Sequence, residues 1–232
     1  MQTEGKLLSI VVPMYNEEPT VGNVLYRIIT VLQTTGFRYE VIVVDDCSSD
    51  KSVAVAKKQG VKVFRLARHM GKGYVLRAGF ANAKGDIIGT IDSDGSHLPE
   101  ELPLLLLPLM QDKADLVIGS RFLNNGKGTT RRINKIGNRL FNSLIHVLTQ
   151  NPISDSQSGY RVMTQQVLKS MKLTSSEYEI ESEMLVKITR KHFRIKEVPI
   201  SFEQRTYGRS GVDPIVDGLK ILVSIMTAFV RS

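Results

Sequence analysis

The sequence contains one cysteine, Cys47, no tryptophan, and aromatic residues at only 6% of its 232 positions. A single cysteine excludes an intramolecular disulfide and a cysteine-rich zinc site. Its apolar and acidic neighbours suit a small, buried or half-buried side chain rather than a catalytic thiol. Scarce aromatics argue against the stacking platforms of a single-strand nucleic-acid binder, so no nucleic-acid partner is expected. No stretch approaches the ~20 apolar residues of a membrane-spanning helix. The longest uncharged apolar run is Ile221–Val230, between Lys220 and Arg231. The N-terminus, MQTEGK, lacks the apolar segment of a signal peptide. The expectation is a cytoplasmic chain.

Several motifs are missing as well. There is no G-x-x-x-x-G-K-[ST], so Gly71-Lys72-Gly73 is not a Walker loop. The first strand-like run leads into Pro-x-Tyr-Asn-Glu rather than G-x-G-x-x-G, which argues against a dehydrogenase-type dinucleotide site. No G-x-S-x-G nucleophile elbow occurs. The four histidines show no metal-ligand spacing. His97, three residues past Asp94, is the one near acids, and an exposed or capping role stays open beside a functional one.

What remains is an ordinary globular composition, 42% hydrophobic and 23% charged, at a length that suits one large domain. Lys plus Arg number 31 against 23 Asp plus Glu, a net charge of +8, which favours anionic partners such as nucleotide phosphates or an anionic membrane face. Leu7–Val12, Val41–Val44, Val61–Phe64, Asp86–Ile91 and Leu116–Ile118 are short, nearly continuous apolar runs. Continuous apolarity indicates strands buried on both faces, as in a parallel sheet. Helical segments alternate with them. Val21, Leu25, Ile28 and Leu32 share one stripe, with Pro19 expected in the first turn. Asp50–Gln59, Gly73–Lys84 and Glu100–Met110 follow, the last expected to break or kink at Pro103 and Pro108. This β-α alternation predicts an α/β fold, an open three-layer sheet, mostly parallel, with helices on both faces.

The second half reads differently. A Gly-rich loop, Asn124–Thr130, precedes a basic helix, Arg131–Thr149, whose apolar stripe is Ile133, Ile136, Leu140, Leu144 and Val147 or Leu148. A helix at Glu179–Lys191 and a strand at Ile195–Phe202 come later. At the C-terminus Ile215, Leu219, Leu222, Met226 and Phe229 recur at helical spacing. We expect one domain over 1–211, with a nucleotide-binding half at 1–121 and an acceptor half at 122–211, and an amphipathic helix over 212–232. That helix either packs on the domain or lies in a membrane surface.

Ligands of open α/β sheets bind beyond the carboxyl ends of the strands. Those ends carry Pro13-Met14-Tyr15-Asn16-Glu17, then Asp45-Asp46-Cys47-Ser48-Ser49-Asp50, then Asp92-Ser93-Asp94, then Gly119-Ser120-Arg121. Two carboxylates one residue apart at a strand end can share one hard divalent cation with substrate phosphates and water. A plain turn at Asp94-Gly95 is the competing reading. Asp45-Asp46 can accept hydrogen bonds from a ribose or base, while Ser48 or Ser49 caps the following helix.

The ordered set Val12-Pro13-Met14-Tyr15-Asn16-Glu17, Asp45-Asp46-x-Ser-x-Asp50 and Asp92-Ser93-Asp94 resembles family 2 glycosyltransferases of the GT-A, Rossmann-like fold. The later segments Asp94-Gly95-Ser96-His97-Leu98-Pro99-Glu100, Gly119-Ser120-Arg121, Asp155-x-x-Ser158-Gly159-Tyr160-Arg161, Glu197-Val198-Pro199-Ile200 and Arg205-x-x-Gly208-x-Ser210 are similar to the dolichyl- and polyprenyl-phosphate mannosyltransferase branch.

The resemblance implies an inverting, metal-dependent transfer of a hexose to a polyprenyl phosphate. GDP-mannose is the first choice of donor, and UDP-glucose or UDP-N-acetylglucosamine the alternative. It implies Mg²⁺ or Mn²⁺ on Asp92, Asp94 and Ser96, the last standing where many relatives have Gln. Pro13, Tyr15, Glu17, Asp45, Asp46, Asp92, Ser93, Arg205 and Ser210 would hold the nucleotide sugar. Arg121 and Arg131, with Asp92 and Asp94, would carry catalysis. The Asn124–Arg132 loop would order on donor binding. Some relatives continue into membrane helices, so a membrane surface or small membrane-protein partner is expected, with the protein peripheral on the cytoplasmic face. A non-catalytic nucleotide-sugar-binding subunit is the alternative from another class.

Overall fold

The computed structural model describes residues 5–123, 132–203, 205, 207 and 216–231, leaving aside the side chains of 132–138, 149 and 231. Arg131, Ser210 and nearly all of the Asn124–Arg132 loop lie outside these residues.

Among the described residues, seven strands form one sheet. They are β1 (Leu7–Met14), β2 (Arg38–Asp45), β3 (Lys62–Arg65), β4 (Ile87–Thr90), β5 (Leu116–Ser120), β6 (Arg161–Thr164) and β7 (Ile195–Pro199). Their order is β3-β2-β1-β4-β6-β5-β7. All pairings are parallel except those of β6, which runs antiparallel between β4 and β5. The five early apolar runs and the late strand appear as expected. The sequence reading left out β6, whose four residues begin with an arginine and carry no alternation.

The helices are α1 (Val21–Thr34), α2 (Ser52–Lys58), α3 (Lys72–Asn82), α4 (Leu102–Met110), α5 (Arg132–Thr149), α6 (Gln165–Ser170), α7 (Ile180–Arg190) and α8 (Val216–Arg231). They cover both sheet faces. Ile10 and Val12 of β1 join α1 and α4 in one core, while Val11 joins α3, α5, α7 and α8 in the other. Apolar strand residues pointing both ways are what a sheet buried on both faces requires.

Four local expectations are corrected. Pro19 lies before α1, in the turn that ends at its N-cap Thr20. Neither Ser48 nor Ser49 caps α2, which starts after Lys51, because Asp50 instead accepts the Ser52 N–H. The Pro103–Pro108 stretch is not broken. A 3-10 turn at Pro99–Glu101 leads into α4, where Pro103 sits in the first turn and owes no hydrogen bond, and Pro108 sits near the end. In α5 the inward residues are Phe141 and Ile145, flanked by Leu144 and Leu148, while Leu140 and Val147 face outward.

The parallel strands put the C-terminal ends of β1, β2, β4 and β5 on one edge. Antiparallel β6 starts at that edge, because Arg161 pairs with both Thr90 and Ile118. Its preceding loop, 155–160, therefore arrives beside the strand ends. Parallel β7 delivers 200–203 to the same edge, where Phe202 bridges to His97 and the Glu203 N–H donates to the Ser96 carbonyl.

Candidate active site

The end of β1 is laced to the end of β2. The Asn16 N–H donates to Ser48 Oγ (2.8 Å), the Glu17 N–H to Ser52 Oγ (2.7 Å) and the Glu18 N–H to Asp50 Oδ2 (3.1 Å). Asn16 takes φ 53, a left-handed turn that asparagine tolerates. The lacing leaves Tyr15 44% exposed, its ring 4.4 Å from that of His69. A cleft of about 480 Å³ opens beside it, lined by Asn16, Glu17, Glu18, Pro19, Asp50 and Tyr207.

Asp45 and Asp46 stand at this edge, but their carboxylates turn inward. Asp45 accepts from the Ser48 N–H (3.1 Å) and pairs with Arg65 (3.3 Å). Asp46 accepts from the N–H groups of Met70 (2.7 Å) and Gly71 (2.9 Å) and pairs with His69 (2.8 Å). Asp46 thereby holds His69 against Tyr15. His69 was not picked out in the sequence, since no spacing links it to Tyr15. Pro13 is buried in β1, and its carbonyl accepts from the Ser93 hydroxyl (2.7 Å), so the Ser93 side chain braces two strand ends.

Asp92 and Asp94, both half-buried, follow β4. Asp94 Oδ1 accepts from the Ser96 N–H (2.9 Å) and Ser96 Oγ (2.6 Å), so the Ser96 hydroxyl orients Asp94. Asp92 Oδ1 meets Lys72 Nζ at 2.8 Å, and Asp92 Oδ2 lies 3.8 Å from His97 Nδ1. Burial would raise the Asp92 carboxyl, but Lys72, with Arg121 farther off, outweighs it and draws its pKa below the usual value. His97 is 2% exposed, packed between the rings of Tyr160 and Phe202, and neither ring nitrogen has a hydrogen-bond partner among the described residues. Burial lowers its pKa and favours the neutral ring. The exposed or capping role is thus set aside.

Arg121, after β5, is held by buried Asp155. Two further groups support that pair. Glu197 of β7 accepts from the N–H groups of Ser154 (2.8 Å) and Asp155 (2.9 Å), and Asn142 of α5 accepts from the Ser156 N–H (3.0 Å). Arg161, 1% exposed, donates to the carbonyls of Ser156, Ser158 and Glu181 at 2.7 to 2.9 Å, tying the 155–160 loop to the start of α7. Across the cleft Arg205 pairs with Glu17. Burial raises the Glu17 pKa, and Arg205 only partly offsets it.

The donor set suits a hard divalent cation. Asp92 and Asp94 offer carboxylate oxygens at a strand end. No three His, Cys, Asp or Glu side chains form a ready cage among the described residues. Substrate phosphates and water commonly complete the shell of a hard cation held by one or two carboxylates.

The family model for glycosyl transferase family 2 matches residues 9–171. A dolichol-phosphate mannosyltransferase of Pyrococcus furiosus is 31% identical over 88% of this chain, which spans 58% of that relative's length. An undecaprenyl-phosphate 4-deoxy-4-formamido-L-arabinose transferase of Edwardsiella ictaluri is 30% identical over 96% of this chain and 68% of its own. A Mycobacterium tuberculosis glucosyl-3-phosphoglycerate synthase, crystallised with Mn²⁺, UDP-glucose and phosphoglyceric acid, superposes with a TM-score of 0.78 at 22% identity, over 97% of this chain and 80% of that one.

Proposed function

The chain belongs to glycosyl transferase family 2, and from that premise we propose that it moves a hexose from a nucleoside-diphosphate sugar to a polyprenyl phosphate. The observation that carries the reading is the convergence, on one sheet edge, of exposed Tyr15, the Asp92/Asp94 carboxylates and the Arg121 guanidinium. These suit, in order, a base, a cation-bound diphosphate and a phosphate.

In this mechanism Tyr15 and His69 stack on the base, and Glu17 with Arg205 borders the ribose side. Asp92 and Asp94 would hold Mg²⁺ or Mn²⁺, which when bound neutralises charge on the leaving diphosphate. Arg121 receives the acceptor phosphate. An oxygen of that phosphate attacks the anomeric carbon from the face opposite the diphosphate. The new C–O bond forms as the old one breaks, the electron pair leaves with the nucleoside diphosphate, and the configuration inverts. A phosphate monoester with its second pKa near ~6 is already ionised at neutral pH, so no protein base is needed.

The Pyrococcus and Edwardsiella relatives support a lipid phosphate as acceptor, and their names differ in the sugar, mannose in one and 4-deoxy-4-formamido-L-arabinose in the other. We take GDP-mannose first, on the Pyrococcus relative, with UDP-glucose or UDP-N-acetylglucosamine as the alternative. No helix among the described residues is long and apolar enough to cross a membrane. The inner face of α8 completes the core through Ile221, Ile225 and Ala228, while Leu219, Val223, Met226 and Val230 face outward. That outer stripe supports peripheral attachment to the bilayer that holds the acceptor.

The test is purified protein with labelled GDP-mannose or UDP-glucose, Mn²⁺ and a polyprenyl phosphate. Label should move to the organic phase with one donor and stop moving in EDTA. Binding of a donor without transfer would leave a nucleotide-sugar-binding subunit. Transfer undiminished in EDTA would remove the metal.

A further inference from the structure

Gly71-Lys72-Gly73 is the one segment excluded as a phosphate loop and left without a role. The structure supplies one. A Cβ at Gly71 would fall 2.5 Å from the Ser176 carbonyl and the Glu177 carboxylate, and one at Gly73 2.7 Å from the Ser175 carbonyl. Gly71 also takes φ 87. Only glycine on both sides of Lys72 lets the 175–177 backbone lie directly on the start of α3, where the Tyr74 N–H donates to the Ser176 carbonyl (3.1 Å). That approach seats the first turn of α7 over Lys72. Its ammonium then lies 2.8 Å from Asp92 Oδ1 and 2.9 Å from Glu181 Oε1.

Glu181 is a buried carboxylate 3% exposed, and its Oε2 has no hydrogen-bond partner among the described residues. A carboxylate placed there without a counter-charge would be strongly unfavourable. It is retained beside a lysine that already has Asp92 to pair with. Two carboxylates thus share one ammonium, and that ammonium sits on an oxygen of the carboxylate proposed to hold the divalent cation.

We infer that Lys72 is a positioning residue, the standing counter-cation of Asp92, and that Glu181 meters how strongly it holds Asp92. The inference rests on the metal part of the reading above. Lys72 holds the Asp92 carboxylate in one orientation before the donor arrives. It also competes with a bare divalent cation, since like charges a few Å apart repel. The cation therefore binds weakly alone and well only when a donor diphosphate adds its own charge. Metal and donor enter as one unit.

The two partners make opposite predictions. Lys72→Met removes the competing charge and leaves Asp92 and Glu181 facing each other, so Mn²⁺ alone should bind about tenfold tighter or more, while transfer falls about a hundredfold as Asp92 loses its orientation. Glu181→Gln removes the rival carboxylate, gives Lys72 wholly to Asp92, and should weaken Mn²⁺ binding about threefold. Lys72→Arg keeps the charge and should stay near the unmutated affinity. A merely structural lysine would not separate metal affinity from turnover in this way.

The experiment is a titration of free Mn²⁺ by electron paramagnetic resonance, on the full chain with and without GDP and UDP, with circular dichroism to confirm folding. If Lys72→Met does not fold, Glu181→Gln and Lys72→Arg carry the test. Unchanged Mn²⁺ affinity in Lys72→Met or Glu181→Gln, with tight binding by the unmutated chain in the presence of nucleotide, would overturn the role of Lys72 alone. No Mn²⁺ uptake by the unmutated chain, even with nucleotide, would overturn both this role and the metal reading.

Discussion

Arg121 and Asp155, 34 residues apart, meet in a forked pair: Nε donates to Oδ2 and Nη2 to Oδ1, each at 2.7 Å, and the Arg121 N–H adds a third bond to Oδ2 at 3.0 Å. The guanidinium is thereby fixed in direction as well as charge. Asp155→Asn keeps the shape but leaves a buried cation without its counter-charge, which costs about 3 kcal/mol. Urea denaturation should show this loss, and transfer at saturating donor should fall with it. Full stability would mean that Arg121 finds another partner.

A second prediction concerns the space behind Asp92. A Cβ on Gly159 would lie 2.7 Å from Asp92 Oδ2 and 3.1 Å from its Cγ. Gly159 has no left-handed φ, so the contact alone excludes a side chain there. Gly159→Ala must push the Asp92 carboxylate off the position that Lys72 and His97 define. Overpacking of this kind costs about 1–3 kcal/mol, and turnover should drop by more than that loss of folded protein explains. Activity measured at 15 °C, well below unfolding, separates the two. Unchanged turnover there would show that the carboxylate is free to move.

Glu183 of α7 is the clearest acid-sensitive support of the fold. It is 2% exposed, accepts from the N–H groups of Thr174 and Ser175 at 2.9 to 3.1 Å, and pairs with Lys187 at 2.6 Å. Burial would raise its pKa, but Lys187 and the Ser175 and Thr174 donors outweigh burial and lower it. A carboxyl with a lower pKa folded than unfolded adds stability above its unfolded value, near ~4.3, and loses it as pH falls toward the folded value. Glu183→Gln should therefore cost about 2 kcal/mol at pH 7 and progressively less below about pH 4. Thermal unfolding of both proteins from pH 7 to pH 3 checks the convergence, and parallel curves over that range would refute it.

Much of this molecule is legible in its sequence because strand positions and strand ends follow from local pattern, whereas the order of strands in the sheet does not. Continuous apolar runs mark β1, β2, β4 and β5, and polar residues just beyond them mark the edge where ligands collect. Asp92, Asp94, Arg121, Tyr15 and Glu17 follow from that rule without coordinates. The antiparallel strand β6 does not, since four residues beginning with a buried arginine have no periodicity to read.

Sequence by itself determined the α/β class, the site edge, and the family resemblance carried by its ordered motifs, because each depends on residues adjacent in the chain. Tertiary structure decided which side chains at that edge are spent on the protein. Asp45 and Asp46 bind loop N–H groups, Ser93 and Ser96 brace neighbours, and Arg121 is anchored by Asp155. It also brought Lys72, His69 and His97 to that edge. Lys72 and His69 meet partners tens of residues away, and charge pairing and ring packing act through space, so no spacing along the chain announces them; the spacing of His97 from Asp94 shows it near the acids but not that its ring is buried. The single cysteine bears this out in a small way: Cys47 is half-buried, within the buried or half-buried range its neighbours suggested, but its left-handed φ of 65 belongs to the turn that the Ser48 N–H closes onto Asp45.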